Sequence, residues 1–292
     1  MCETTCIDFI GIGDQRSGTT WIYNCLSEHP QIGTSSVKET RFFDDDHLYK
    51  QGLQKYEEFF TQHSQKQVLG EYSPSYIHHE KALQRIKKHF PDIKLVITFR
   101  DPAEKIRSEY EYNKVSGTGS MIQYNSLKQA IEQRRSLIER ARHGKNLERV
   151  YQYFTPSQVF VGLFRDLKTE PENYIQSIFQ FLDVEPDFVP KKIDTKDNAT
   201  GEKRLRSPFF ARTISMVSEI IKQYPHVQQF LEYFGGQQIR NKILNMNKTT
   251  DESHEKQSAS VDAGTSQLIK EKLIDDIEKL EHLLEKDLSS WK

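Results

Sequence analysis

Residues 6–26 read CIDFIGIGDQRSGTTWIYNCL. Cys6–Ile12 is a short apolar run with β-branched members, the pattern of a buried strand. It feeds directly into Gly13-Asp14-Gln15-Arg16-Ser17-Gly18-Thr19-Thr20. Trp21, Ile22, Cys25 and Leu26 then fall at helical spacing, and that helix should end before Pro30. The unit is strand, glycine-bounded loop, helix. Gly13 and Gly18 have the GxxxxG spacing of a phosphate-binding loop, which turns backbone N–H groups inward and adds the positive end of the following helix. In nucleotide triphosphatases the second glycine is followed by Lys-Ser/Thr. Here Thr19, Thr20 and Trp21 follow, and the loop's cation is Arg16. No apolar strand ends in an aspartate that would help hold magnesium. The loop therefore suits a phosphate group better than a metal-bound triphosphate. A glycine turn that merely joins strand to helix is the plainer alternative.

Two further apolar runs read as buried strands, Lys94–Phe99 (KLVITF) and Gln158–Phe164 (QVFVGLF), with a weaker one at Gln67–Gly70. Helical stretches lie around 78–89, 102–113, 126–143 and 171–182. Strands alternating with helices predict an α/β fold, a parallel sheet flanked by helices on both faces. Beyond about residue 208 the chain reads as helical, forming a C-terminal extension over about 208–292 of a single domain, 1–292. Asn247–Ala263 is polar and reads as a mobile loop or linker. Ile269–Leu284 carries Ile269, Leu273, Ile274, Ile277, Leu280, Leu283 and Leu284 on one stripe, an amphipathic helix expected to dock back on the body.

With 292 residues, 36% of them hydrophobic, the chain can bury a sizeable core. Its 41 basic and 42 acidic residues leave a net charge of -1, which argues against a nucleic-acid coat or a partner for an acidic membrane surface but permits a local basic pocket. No apolar run approaches the roughly 18–20 residues of a membrane span. Met1–Cys6 lacks the basic-then-apolar pattern of a secretory signal, so a cytoplasmic location is the expectation. The three cysteines, Cys2, Cys6 and Cys25, suggest no disulfide framework, and no Cys/His cluster has zinc spacing.

Three other segments carry candidate anion or proton chemistry. Arg100 ends the KLVITF strand on the usual ligand side of a parallel sheet, Asp101 can cap the next helix, Pro102 suits its first turn and Ser108 follows two turns in. The alternative for Arg100 is pairing with a surface carboxylate. In Asn198–Pro208 (NATGEKRLRSP), Lys203, Arg204 and Arg206 crowd a glycine-containing loop, either a solvated face or a lid over a polyanion. In Lys38–Asp44 (KETRFFD), Phe42 and Phe43 could anchor the segment while Glu39 and Arg41 face a cleft, a carboxylate near cations being a candidate proton acceptor. An ordinary turn with surface charges is the alternative.

Together these segments resemble the sulfotransferases that use 3′-phosphoadenosine 5′-phosphosulfate (PAPS), with the nearest likeness to the branch shared by heparan-sulfate-type and bacterial enzymes. Asp14–Trp21 resembles the family's 5′-phosphosulfate loop, which implies donor contacts from Arg16, Ser17, Gly18, Thr19, Thr20 and Trp21, with Arg16 standing where the family usually has lysine. Arg100 and Ser108 resemble its 3′-phosphate pair, and Lys203-Arg204 its late basic loop. Lys38–Asp44 is similar to the segment that supplies a glutamate base, which assigns catalysis to Glu39 with Arg16. Arg41 stands where that branch often has histidine, and Gly70–Tyr76 (GEYSPSY) resembles a substrate-side motif, so Lys38, Arg41, Tyr72 and Ser73 are implied on the acceptor side. Phe164–Lys168, Phe179–Val184 and Asp287–Trp291 agree with later family segments. The resemblance implies transfer of a sulfuryl group to an acceptor hydroxyl or amine of a small molecule or glycan, with 3′-phosphoadenosine 5′-phosphate (PAP) as product, no metal, and no nucleic-acid or membrane partner. A kinase and a non-catalytic nucleotide- or glycan-binding module are the rival classes. His78 and His79 are rival bases, read as surface or helix-start histidines.

Overall fold

The structure, a computed structural model, describes residues 7–63, 65–116, 121, 123–194, 204–205, 248–249 and 263–292. Five strands, β1 (Phe9–Gly13), β2 (Ile32–Thr34), β3 (Val68–Tyr72), β4 (Lys94–Phe99) and β5 (Val159–Leu163), form one sheet in the order β2-β3-β1-β4-β5. Every neighbouring pair is parallel, with Phe9 opposite both Gly70 and Lys94 and Leu95 opposite Val159. Its helices are α1 (Thr19–Glu28), α2 (Asp46–Tyr49), α3 (Leu53–Glu57), α4 (Glu80–His89), α5 (Pro102–Ser116), α6 (Leu127–Gln133), α7 (Arg135–Arg140), α8 (His143–Tyr151), α9 (Phe164–Thr169), α10 (Pro171–Phe181) and α11 (Ala263–Leu284). The chain forms two compact units, one of residues 1–105, 138–197 and 268–292, the other of residues 106–137 and 198–267. The five-stranded sheet belongs to the first. The second holds a short antiparallel pair, β6 (Arg204–Leu205) with β7 (Lys248–Thr249).

The strands expected from apolar runs are β1, β3, β4 and β5, shifted by one to three residues at their ends except for β4. β2 has three residues, one of them Gly33, too little for a periodic signal. The helix expected over 126–143 is two helices that break at Arg134, whose backbone leaves the helical region (φ -119, ψ 83). The apolar pairs Ala130/Ile131 and Leu137/Ile138 suit two short helices as well as one long one. The expected mobile loop over 247–263 lies outside the described residues apart from β7 and the start of α11, as does most of the chain after residue 208.

One face of the sheet supplies Phe9, Tyr72 and Val96 to a core completed by Trp21, Ile22, Cys25 and Leu26 of α1 and Tyr174, Ile175, Ile178 and Phe179 of α10. On the other face Phe99 packs against the His143 ring of α8 at 4.6 Å. The C-terminal helix docks as its stripe predicts, with Ile269, Leu273, Ile277 and Leu280 buried. It also caps α8: the Asp276 carboxylate accepts the backbone N–H groups of Gly144 and Lys145, both at 2.9 Å. α8 has no side-chain cap from its own N-cap residue, Arg142, so α11 supplies the acceptor that a helix start needs. The approach is so close that a Cβ on Gly144 would lie 2.4 Å from the Asp276 carbonyl oxygen, which leaves only glycine there.

The carboxyl end of β1 is held by a buried ionic cluster. Asp14, fully buried, places Oδ1 3.1 Å from His78 Nε2 and Oδ2 3.6 Å from Lys105 Nζ and 3.3 Å from His143 Nδ1. His143 Nε2 faces the Arg100 carbonyl at 2.9 Å and therefore carries the proton it donates there. Burial raises the pKa of Asp14, but Lys105, His78 and His143 outweigh it and bring it down to about 2. Burial pushes His143 down to about 4 against the pull of Asp14, so its imidazole is neutral at pH 7.

Two stability predictions result. Asp276→Ala removes a charged acceptor from two helix-start amides and should cost about 1–3 kcal/mol, read from urea unfolding at pH 7. Asp14 has a depressed folded pKa, so its contribution of about 2 kcal/mol is present above pH ~4 and lost as the pH falls towards 2. Asp14→Asn should therefore unfold at lower urea than the wild type at pH 7, with the gap narrowing at pH 3. An equal gap at both pH values would show that the carboxylate is not stabilised by the groups around it.

Candidate functional site

The loop after β1 has the features of an anion cradle. Gly18 adopts φ +81, which favours glycine, and a Cβ there would sit 2.9 Å from Leu167 Cδ1. Arg16 is also left-handed, at φ 68. α1 starts at the loop with no side-chain cap, leaving its first-turn N–H groups for a ligand. Ser17 Oγ is buried and has no hydrogen-bond partner among the described residues, although hydroxyls in such positions are normally satisfied. An uncapped helix start, a buried orphan hydroxyl and a cation in the loop fit a phosphosulfate group. Thr19 and Thr20 open α1, the first buried and the second half-buried. Trp21 turns into the core and donates from Nε1 to the Ile193 carbonyl at 3.2 Å.

Arg100 follows β4 and makes three contacts at once. Its Nε and Nη2 reach Glu104 Oε2 at 3.0 Å, Nη1 donates to the Arg16 carbonyl at 3.2 Å, and the guanidinium lies 4.6 Å from the Phe164 ring centroid. The surface-carboxylate pairing considered for this residue is therefore present, together with a tie to the phosphate loop. Ser108 is buried on α5, in the second unit. Lys203 lies outside the described residues, and Arg204 is described only as backbone in β6.

The segment 38–44 brings its charges to a cavity and its rings to the core. Phe42 and Phe43 are fully buried, with ring centroids 5.0 and 4.9 Å from Tyr56. Glu39 and Arg41, with Gln15 of the phosphate loop, Ser75, His78, His79 and Arg140, line a cavity of about 220 Å³. Glu39 is not buried: its side chain is 40% exposed and accepts from Lys38 Nζ at 2.6 Å. Arg41 is paired with Asp44 at 3.3 Å. Tyr72 and Ser73 face inward. Tyr72 Oη donates to the Gly13 carbonyl at 3.1 Å, and Ser73 Oγ donates to Glu71 at 2.6 Å.

The structure thus joins Glu39 and Arg41 to the phosphate loop and ties Arg100 to the same loop, while Tyr72 and Ser73 do not line that cavity. His78 is a correction to the surface reading, because its side chain is 9% exposed and holds Asp14. His79 is exposed and is the N-cap position of α4. Sequence reasoning missed Asp14, His143, Arg140 and Glu71. Glu71, an acid inside the apolar strand VLGEY, was the one with a visible signal, since an unpaired acid is rarely buried in a parallel strand. Its pKa is raised because burial outweighs the hydrogen bonds of Ser73, Thr40, Tyr76 and Tyr56. Among the described residues no group of three or more His, Cys, Asp or Glu is placed to hold a metal ion, and no helix is long and apolar enough to cross a membrane.

Residues 7–206 match the family model of the sulfotransferase domain. Bifunctional heparan sulfate N-deacetylase/N-sulfotransferase 4 of Mus musculus is 26% identical over 211 residues, which cover 66% of this chain and 24% of that protein. Heparan sulfate glucosamine 3-O-sulfotransferase 5 of Mus musculus is 27% identical over 183 residues, 60% of this chain and 53% of that protein. The chain thus spans about a quarter of the first relative and about half of the second. The crystal structure of a sulfotransferase from Alicyclobacillus acidocaldarius has the same fold, with a TM-score of 0.66 over 98% of both chains at 18% identity. Because the domain match covers well over half of the chain, from the strand before the phosphate loop to beyond β5, this protein belongs to the PAPS-dependent sulfotransferase family.

Proposed function

We propose that the chain transfers a sulfuryl group from PAPS to a hydroxyl or amine of a glycan or small-molecule acceptor, by in-line displacement with Glu39 as the base. The observation that carries this reading is that Glu39 and the phosphate-loop residue Gln15 line one cavity. When bound, PAPS supplies the electrophilic sulfur, with PAP as leaving group. Glu39 takes the acceptor proton, a role that typically contributes about 10²–10⁴-fold. Lys38, 2.6 Å away, orients its carboxylate. Arg16 and the amides at the start of α1 stabilise charge on the leaving phosphate, and losing one such donor typically costs about 10²–10³-fold. Arg100 holds the 3′-phosphate in place of its contact with Glu104. Roles for Ser108, Lys203 and Arg204 in donor binding rest on the sequence resemblance. Arg41 meets the acceptor at the cavity wall, and acceptor-side roles for Tyr72 and Ser73 rest on the sequence resemblance. The two mouse relatives, named for heparan sulfate, favour a glycan acceptor. A phosphoryl-transfer reading is disfavoured by Thr19 at the position of the P-loop lysine.

An acceptor panel with labelled PAPS or labelled ATP tests the reaction class. Label should pass from PAPS and persist in EDTA, since sulfate transfer gathers less charge than transfer of a γ-phosphate. Transfer from ATP alone would make the chain a kinase, and binding of PAP without any transfer would make it a binding module. Glu39→Gln should lower kcat at least about 100-fold with PAP affinity, measured by calorimetry, unchanged. Near-normal turnover in that variant would remove Glu39 from its role.

A further inference from the structure

Glu71 is a fully buried carboxylate in β3 with no part in the chemistry proposed above. Four hydroxyl groups donate to it. Thr40 Oγ1 and Ser73 Oγ reach Oε2 at 2.7 and 2.6 Å, and Tyr56 Oη and Tyr76 Oη reach Oε1 at 3.0 and 3.0 Å.

Three of those hydroxyls have a second task. Ser73 Oγ accepts the backbone N–H of Arg41 at 3.2 Å, Thr40 Oγ1 that of Phe42 at 3.4 Å, and Tyr76 Oη that of Phe43 at 3.3 Å. A hydroxyl has one proton and two lone pairs. With its proton committed to the carboxylate, each of the three turns a lone pair to an amide. Three consecutive amides therefore lead through three hydroxyls to one buried carboxyl group, and the links share one connected network.

The backbone so held is strained. Glu39 has φ 65 and Arg41 φ 55, a region unfavourable for a non-glycine residue that persists only where its surroundings impose it. Glu39 is held further by its own N–H, which donates to the Tyr72 carbonyl at 3.2 Å beside Glu71. We infer that Glu71 is a positioning residue, which through Thr40, Ser73 and Tyr76 fixes the backbone of residues 40–43 and thereby aims Glu39 at the cavity it shares with the phosphate loop. This rests on the reading of Glu39 as the base. Glu71 acts on the reaction only through that geometry.

The test uses the full chain and the variants Thr40→Val, Thr40→Ser, Glu71→Gln and Glu39→Gln, with kcat from labelled PAPS, PAP affinity by calorimetry and thermal unfolding for each. Thr40→Val keeps the side-chain shape and removes one link. It should lower kcat by about 10-fold or more, as a small misplacement of a reacting group does, with PAP affinity within about twofold of wild type. Thr40→Ser restores the hydroxyl and should restore most of the turnover. Glu71→Gln should show the same loss of kcat without loss of PAP binding, and if it does not fold, Thr40→Val decides alone. Wild-type turnover in folded Thr40→Val, with Glu39→Gln inactive, overturns the positioning role and leaves Glu39 as the base. Equal losses of kcat and PAP affinity in Thr40→Val also overturn it, since they mark general damage. An active Glu39→Gln overturns both readings.

Discussion

A carboxylate buried at the carboxyl end of a covered parallel sheet has no water to solvate it, so the protein must answer its charge or lose several kcal/mol. This chain places two such groups on neighbouring strands and answers them in opposite ways. Asp14, just past β1, is met by Lys105, His78 and His143, and its pKa falls to about 2. Glu71, in β3, is met by four hydroxyls, and its pKa rises. Lys105 and the two imidazoles come from distant parts of the chain and draw them together at one carboxylate. Hydroxyls pass the contact on to backbone amides as directed hydrogen bonds. The first answer fixes the floor of the phosphate loop to α8 and to the strand end that carries Arg100. The second fixes the segment that carries Glu39.

Strain is distributed accordingly. Among the described residues five non-glycine positions have positive φ: Arg16, Glu39, Arg41, Asp183 and Glu285. Three of the five belong to the phosphate loop and the 38–44 segment, next to the two buried carboxylates. Strained backbone survives where several independent contacts impose it, and the two networks provide such contacts at those places. Phe42 and Phe43 add an apolar anchor, so the segment is held on one side by rings and on the other by hydrogen bonds to hydroxyls.

The fold was legible because its signals are local. CIDFIGI followed by a glycine-bounded loop, and KLVITF ending in arginine, each contain within a few residues what makes them strands with a ligand end. Glu39, Arg41 and Arg100 could be singled out for the same reason, as charges beside apolar anchors. The partners of Asp14 could not. His78, Lys105 and His143 come from three separate elements, and nothing in the sequence near Asp14 announces them. Tyr72 and Ser73 are expected on the acceptor side because GEYSPSY resembles a substrate-side motif. Alternation along β3 instead sends Tyr72 into the core with Phe9 and Val96, and Ser73 turns back onto Glu71. β2 was invisible for want of length, and the basic loop at 203–206 lies almost wholly outside the described residues.

The arginine at the end of β4 shows why residue type matters beyond charge. One edge of its guanidinium engages Glu104, a nitrogen at the other edge donates to the Arg16 carbonyl, and its flat face covers Phe164. A lysine carries the same charge as a compact ammonium and has neither the fork nor the plane to make all three contacts. The backbone of the same residue accepts from His143, which faces Asp14. Arg100 is thus bound to the phosphate loop through its side chain to Arg16, while its carbonyl accepts from His143. Movement of either the loop or the strand end must disturb the other, so the proposed 5′ and 3′ anion contacts of Arg16 and Arg100 are set as one geometry.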